Sequence, residues 1–304
     1  MQYHLEAISQ AQETLEISEA EFVEISAAKR GLVTAIGFEE KLYVLLENYA
    51  EFERELLNLN LRRLVFADNG WSTFQDDILA VNRRLANLLT AARLYLDQVD
   101  HDLASTFGDE SPAVQAVRTA RNNEYDRRLS YRTMEAIRNY LQHRSFPIHH
   151  LSFGMERDEA KGQVFAAHTI CPSISLAEIR RDGRLKTAVL EELTSEGDLV
   201  PVTPLVREYV EALGRVHESV RVAAEERVAA WEATVTTTIA RARTVCGDSK
   251  IGFLAVARSE DTEEQEIQLF SDLIDRRQFL QRRSSHAAVL AKHYVSGKTT
   301  ERDA

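Results

Sequence analysis

Residues 38–59, FEEKLYVLLENYAEFERELLNL, carry the pattern that decides the fold class. In this stretch large apolar side chains recur at alternating steps of four and three residues: Phe38, Leu42, Leu45, Tyr49, Phe52, Leu56 and Leu59. An α-helix has about 3.6 residues per turn, so this spacing places all of them on one helical face. The stretch therefore predicts a long amphipathic helix with its apolar face buried.

A second stretch with the same pattern follows a turn signal. Asp68-Asn69-Gly70 favours a reversal of the chain. Beyond it, apolar residues recur at helical spacing from Ile78 to Val99. Two long helices joined by a short connection are expected to pack antiparallel. The sequence thus predicts a mainly α fold based on an antiparallel helical bundle.

Further helix starts are indicated by capping or proline signals at Ser18, Ser111, Ser175 and Thr203. The helix that begins at Ser18 is expected to end near Gly31. The helix that begins at Ser111 is expected to break near Asn122 and to end at about Arg144, because a proline follows shortly afterwards.

Two short stretches have the composition of β-strands. Residues 148–154 and 163–170 suit a pleated sheet, and the polar run between them suits a turn, so together they predict a β-hairpin. A last strand is expected at residues 252–257, followed by a helix at residues 263–294. These patterns divide the chain into an N-terminal helical segment (1–31), a helical core (32–147), a β-hairpin insertion (148–174), helices that complete the bundle (175–247), a C-terminal strand and helix (248–296) and a loose tail (297–304).

The composition restricts the class of protein and its partners. The 304 residues carry 48 acidic and 37 basic side chains, a formal net charge of −11. The surface as a whole does not attract nucleic acid, so RNA binding would require a local basic patch. No apolar run is long enough to span a bilayer and no signal peptide is evident, so we expect a cytoplasmic protein with no membrane contact.

One basic patch is present between residues 118 and 144, a stretch that contains seven arginines and only three acidic residues. The guanidinium group forms paired hydrogen bonds with phosphate oxygens, and we expect Arg128, Arg132 and Arg144 to bind RNA. Charge alone also fits a solvated helix face with ion pairs between neighbouring turns, for example Arg132 with Glu135.

The RNYLQH run at residues 138–143 allows a more specific functional prediction for this patch. The buried stripe of this helix is predicted to be Met134, Ile137 and Leu141. At about 100° per residue, Asn139 then points away from the stripe, with His143 about 40° further round and Glu135 on the same face. Arg138 lies at the edge of this face. An imidazole, an amide and a guanidinium together suit phosphodiester cleavage.

RNYLQH resembles the R-x4-6-H motif of HEPN domains (higher eukaryotes and prokaryotes nucleotide-binding), in which a polar residue, often Asn, follows the Arg. The resemblance covers residues 38–145, and the helix after Thr203 would complete a HEPN-like antiparallel helical bundle. It implies a metal-independent endoribonuclease without a cofactor, frequently a toxin or antiviral effector. It also implies a homodimer in which two motifs meet in one cleft, with an antitoxin or a defence-system protein as a candidate partner.

The resemblance also implies a role for each motif residue. Arg138 would bind and stabilise the scissile phosphate, His143 would transfer protons and Asn139 would orient the other two. The ribose 2′-hydroxyl would attack, leaving a cyclic phosphate and a 5′-hydroxyl. The chain departs from the family at Ser145, where some HEPN toxins carry a tyrosine that a nucleotidyltransferase partner modifies. The region from residue 148 onward has no counterpart in a minimal HEPN domain.

Several alternatives stay open. A histidine in the last turn of a helix also interacts favourably with the helix dipole, and Arg138 can pair with Glu135. The same bundle could serve as a non-catalytic scaffold or regulatory subunit that binds a partner protein. No metal is expected, because the spacing of the nearby metal-binding residue types matches no common zinc module: His143, His149, His150, His168 and Cys171.

Overall fold

The computed structural model describes residues 1–8, 13–66, 70–160, 163–182, 185, 187–195, 197–247, 249, 251–259 and 265–292. The fold is mainly helical, as expected. The helices are α1 (Glu19–Val65), α2 (Trp71–Phe107), α3 (Pro112–Arg127), α4 (Leu129–His143), α5 (Leu176–Asp182), α6 (Thr187–Thr194), α7 (Val202–Cys246) and α8 (Asp272–Arg283), followed by a 3₁₀ turn at Ala287–Lys292. The strands are β1 (Gln2–Ala7), β2 (Leu15–Glu16), β3 (His150–Ala160), β4 (Gln163–Ser175), β5 (Leu199–Pro201), β6 (Phe253–Arg258) and β7 (Gln265–Leu269).

Two ion pairs show that α1 and α2 run antiparallel, as the sequence predicted. The Arg62 guanidinium lies 3.2 Å from the Asp77 carboxylate, and Arg84 Nε donates to Glu55 Oε2 over 3.2 Å. Moving back along α1 from Arg62 to Glu55 therefore means moving forward along α2. Asp68 and Asn69 of the expected turn lie outside the described residues.

The expected end of the first helix at Gly31 is wrong, because α1 continues without a break from Glu19 to Val65. The glycine serves packing rather than termination. A Cβ at Gly31 would stand 2.4 Å from Cδ2 of Trp231, so only a glycine lets this ring lie against the helix. A single glycine inside a long helix costs only about 1 kcal/mol, which packing readily offsets.

Three other expectations are corrected or extended. Helix α3 passes Asn122 without a break and ends at Arg127. The β-hairpin is confirmed, but most of the polar run expected as a turn continues β3, which covers His150–Ala160, and β4 extends to Ser175. The expected start of the last helix at residue 263 is wrong, since residues 265–269 form β7, which pairs antiparallel with β6, and α8 begins only at Asp272. The expected end of that helix and the tail at 297–304 lie outside the described residues.

The chain divides into two compact units. The first comprises Met1–Tyr43, Gln98–Val117 and Ser219–Ser285. Its sheet has the antiparallel order β2-β1-β6-β7. Apolar residues of β1, β6 and β7 are buried in one cluster with residues of α1 and α7, among them Leu5, Phe22, Ile25, Val235 and Phe253. This burial is what fastens the sheet to the helices.

The second unit comprises Val44–Asp97, Arg118–Glu218 and His286–Ala304. It contains the antiparallel sheet β3-β4-β5 and the whole of α4. Its most deeply buried side chains include Phe52, Leu85, Met134, Ile137 and Val206. In neither unit does the described chain contain a helix that is both long and apolar enough to cross a membrane.

A buried amide fixes the segment that leaves α4. The fully buried Asn82 side chain donates to Ile148 O over 2.9 Å, and its Oδ1 accepts the Ile148 N–H over 3.0 Å. The same Nδ2 also donates to Ile78 O. One side chain therefore satisfies both backbone groups of a residue that has no strand neighbour at that position.

We expect Asn82→Ala to destabilise the protein by about 2–4 kcal/mol, because it leaves the buried N–H and C=O of Ile148 without partners. Urea unfolding followed by circular dichroism measures the change. Asn58→Ala, which truncates an exposed amide on α1, is the matched control and should change stability little. Equal effects of the two substitutions would contradict this role for Asn82.

The capping box at the start of α1 makes the stability of the fold depend on pH. The Ser18 N–H donates to Glu21 Oε2 over 2.8 Å, the Glu21 N–H donates to Ser18 Oγ over 3.2 Å, and Arg241 pairs with Glu21. These contacts, the Ser18 N–H first, lower the pKa of Glu21 from 4.5 to about 2. A carboxylate whose pKa is lower in the folded state than in the unfolded chain stabilises the fold at pH values above the unfolded-state pKa. That stabilisation is lost as the pH falls towards the folded-state pKa.

We therefore expect Glu21→Gln to lower the melting temperature at neutral pH, and the difference from wild type to shrink as the pH falls from 4.5 to about 2. Thermal unfolding over this range measures it. Glu19→Gln removes another carboxylate of the first turn and is the control. A difference that stays constant down to pH 3 would rule out the carboxylate as its source.

Candidate functional site

Helix α4 carries the three motif residues in its last two turns. Met134 and Ile137 are fully buried, as predicted. Tyr140 is buried as well, whereas Leu141 is only half-buried. The buried face is therefore rotated slightly from the predicted stripe, because the aromatic ring of Tyr140 occupies the core in preference to Leu141.

The exposed face carries the predicted groups. Asn139 and His143 are exposed and Arg138 is half-buried. Arg138 Nη1 donates to Asn139 Oδ1 over 3.2 Å, so the guanidinium and the amide are in contact. Arg138 Nε is buried and has no hydrogen-bond partner among the described residues. The described contacts do not join Arg138 to His143, so the arginine and the histidine remain separate groups on one helix.

A buried tyrosine organises the neighbouring carboxylate. The hydroxyl of Tyr209, on α7, donates to Glu135 Oε1 over 2.7 Å. The Tyr209 ring also meets the Tyr131 ring edge to face, with centroids 5.1 Å apart. Burial raises the pKa of Tyr209 well above its ordinary value, and the charge of Glu135 raises it further, while Arg138 opposes the shift. Tyr209 therefore stays protonated and remains a donor to Glu135.

Arg132, predicted to bind RNA, is held by contacts within the second unit. Its guanidinium donates to Tyr125 O over 3.0 Å and to Asp126 O over 2.6 Å, and it forms an ion pair with Glu192 of α6. The expected pair between Arg132 and Glu135 is replaced by this one, because Glu135 turns towards Tyr209 instead. These contacts fasten the α3–α4 junction to α6.

The other two predicted RNA-binding residues differ in their surroundings. Arg128 Nε donates to Glu124 Oε2 over 2.8 Å, and Arg215 of α7 also pairs with Glu124, over 3.1 Å. Arg144 caps the C-terminus of α4 through its N–H, which donates to Tyr140 O over 2.8 Å, and the residue is exposed. Of the three, Arg144 is the one whose side chain a phosphate can reach without displacing a carboxylate.

A cleft of about 410 Å³ in the first unit is a second place where charged groups gather. Arg221 binds Glu39 through two hydrogen bonds of 2.9 and 2.6 Å, and Arg277 pairs with Glu232 over 2.6 Å. Each guanidinium is matched by a carboxylate from another helix. These pairs tie α1, α7 and α8 together and leave both arginines of the cleft already matched by a carboxylate.

Metal ligands do not cluster in the described part of the chain, where no group of three His, Cys, Asp or Glu side chains could hold an ion. The histidines near α4 have separate surroundings. The His149 ring accepts the Ser175 N–H over 3.3 Å, and His150 and His168 pair with Ser173 and Met155 in the strand register.

Comparison of the chain with protein-family models, with curated proteins and with solved structures finds no match. The interpretation of the α4 face therefore depends on its own chemistry. That chemistry combines an exposed imidazole, an amide, a partly buried guanidinium and a carboxylate held by a tyrosine. Sequence reasoning placed Glu135 on this face but could not find Tyr209, which lies 74 positions away along the chain.

We expect Tyr209→Phe to destabilise the protein by about 1–3 kcal/mol, because the substitution leaves Glu135 Oε1 without its donor and keeps the ring. Urea unfolding measures the change. Tyr3→Phe removes a hydroxyl that contacts the Met1 sulfur and Glu19 near the surface, and it serves as the control. An unchanged stability for Tyr209→Phe would show that this hydrogen bond does not hold Glu135 in place.

Proposed function

We propose that the chain is a HEPN-like, metal-independent endoribonuclease whose site includes Arg138, Asn139 and His143. The observation that supports this most strongly is that the motif arginine, Arg138, is not paired with a described carboxylate. Arg128 and Arg132 each pair with a carboxylate, whereas Arg138 makes no ion pair with any described acid and donates to the neutral Asn139. Its charge is therefore available to a phosphate.

The chemistry divides among the three side chains. One imidazole accepts the proton of the ribose 2′-hydroxyl, and the oxygen then attacks phosphorus. The bond from phosphorus to the 5′-oxygen breaks, and that oxygen takes up a proton, which leaves a 2′,3′-cyclic phosphate and a 5′-hydroxyl. Arg138 stabilises the charge that develops on the phosphate oxygens. Asn139 holds the guanidinium through their hydrogen bond of 3.2 Å.

The proposal includes the homodimer that the HEPN resemblance implies, in which two α4 helices supply one imidazole to accept a proton and one to donate a proton. Arg144 would extend the RNA-binding surface beside the motif. The setting we propose is a cytoplasmic toxin or phage-defence effector, with an antitoxin or a defence-system protein as its partner. The acidic net charge confines RNA binding to the local surface around α4.

A non-catalytic scaffold is the second candidate, and one observation favours it. Large apolar side chains are exposed at the end of α1 and the start of α2: Leu57, Leu61, Leu64, Val65, Phe66 and Trp71. Leu57, Leu61 and Leu64 lie on one helical face. Exposed apolar patches of this kind mark protein contact surfaces.

RNA cleavage by the purified protein in the presence of EDTA tests the proposal. We expect the wild type to leave cyclic phosphate ends, and Arg138→Ala and His143→Ala each to reduce the rate by about 100-fold or more. Arg127→Ala and His101→Ala, which truncate exposed residues of the same types elsewhere, are the controls and should cleave normally.

The outcomes separate the two candidate functions. Cleavage that survives both substitutions in the motif would overturn the site assignment. A wild type that shows neither cleavage nor toxicity on expression, and that behaves like His143→Ala in both tests, would favour the scaffold.

A further inference from the structure

Glu135 and Arg138 lie one turn apart on α4 and do not pair. Residues three positions apart on a helix are neighbours, and an acid and an arginine at this spacing ordinarily form an ion pair. Both side chains are half-buried. Arg138 nevertheless donates to the neutral Asn139, and Glu135 accepts the hydroxyl of Tyr209. The carboxylate that is nearest in sequence is therefore withheld from the motif arginine.

Tyr209 is well placed to hold this carboxylate. Its ring is buried and meets the Tyr131 ring edge to face, with centroids 5.1 Å apart, so the hydroxyl has a fixed position. A hydrogen bond to a carboxylate is roughly twice as strong as one between neutral groups. An ion pair between neighbouring helix turns shifts an equilibrium only about two-fold. The bond of 2.7 Å therefore draws Glu135 towards α7 and prevails over the pair with Arg138.

Arg138 belongs to the same electrostatic cluster as this hydrogen bond. Burial raises the pKa of Tyr209 and the Glu135 charge raises it further, whereas the positive charge of Arg138 opposes the shift. The guanidinium also has an unused donor, since Nε is without a partner among the described residues. Glu135 consequently has two alternative partners close by, a hydroxyl and a guanidinium.

A second set of the same residue types, also in the second unit, shows the alternative outcome. Tyr49 donates to Glu53 Oε1 over 3.0 Å, and Arg207 binds both oxygens of Glu53 over 2.7 and 2.8 Å. Here the half-buried tyrosine lies on the same helix as the acid, and α7 supplies the arginine. That guanidinium takes the carboxylate and is neutralised by it. At α4, where α7 supplies the tyrosine instead, the arginine stays unpaired.

We propose that Tyr209 is a positioning residue, which keeps Arg138 available to the RNA phosphate by holding Glu135 away from it. Without this hydrogen bond, Glu135 turns to Arg138 and competes with the phosphate for the guanidinium. The inference rests on the proposed function, because it assigns a control on the phosphate-binding arginine of that site. Tyr209 is buried and acts only through Glu135.

A competing carboxylate within the chain has a distinctive effect on the kinetics. The apparent dissociation constant of a ligand rises as the fraction of protein in the binding-competent state falls. Saturating RNA displaces the carboxylate, so KM rises while kcat stays nearly constant. A general loosening of the site would lower kcat as well.

Steady-state cleavage of an RNA oligonucleotide by Tyr209→Phe tests the proposal. We expect KM to rise about 3-fold or more, with kcat within about 2-fold of the wild-type value. Tyr49→Phe is the matched control. It removes a hydroxyl from a carboxylate that Arg207 already holds, and it should leave KM unchanged.

The double variant Tyr209→Phe, Glu135→Gln separates competition from a loss of stability. It lacks the same hydroxyl, so the fold is not restored, but its amide has no charge with which to compete for Arg138. We expect KM to return to within about 2-fold of wild type. A KM that stays raised in the double variant, or a Tyr209→Phe enzyme with lowered kcat and unchanged KM, would overturn the role of Tyr209.

A crystal structure of Tyr209→Phe tests the position of Glu135 without RNA. We expect a Glu135 oxygen within about 4 Å of the Arg138 guanidinium, the distance of an ion pair. A carboxylate that remains apart from Arg138 would overturn the inference even in an active enzyme. Failure of the wild type to cleave RNA would refute the ribonuclease proposal, whereas this structure decides the pairing of Glu135 on its own.

Discussion

The surface of the second unit depends on how α4 buries its apolar side. Met134, Ile137 and Tyr140 are almost completely buried. Burying a side chain of this size stabilises the fold by about 1.5–3 kcal/mol. Rotating the helix to hide Asn139 would expose them. The helical period then dictates which groups face outward, so a row of polar groups follows from the packing beneath it.

Ion pairing decides which of the arginines are accessible. Near α4 the acids are matched to particular guanidinium groups: Glu124 to Arg128 and Arg215, and Glu192 to Arg132. These pairs hold helices together and neutralise the Arg128 and Arg132 part of the basic patch. Arg138 is different because Glu135, the nearest acid on its helix, is turned towards Tyr209.

Patterns local in sequence predicted much of the fold. The capping box at Ser18, the β-hairpin and strand β6 each depend on neighbouring residues and are present as expected. The predicted helix end at Gly31 was wrong because glycine has a low local helix propensity, whereas its role here is to make room for the Trp231 ring. That ring lies 200 positions away along the chain. Glu135 was placed on the correct face, but its partner lies on α7, and no local pattern encodes a contact of that range.

The contrast between Arg132 and Arg138 shows why charge counting alone is a weak guide to function. Both lie on α4, both belong to the same arginine-rich stretch, and both are half-buried. The Arg132 guanidinium already donates hydrogen bonds to two carbonyl oxygens and a carboxylate, so binding a phosphate there would break existing contacts. Arg138 donates to one neutral amide, which leaves donors for a phosphate and keeps the positive charge that phosphate binding requires. The distribution of carboxylates, more than that of arginines, therefore determines where this acidic protein could hold RNA.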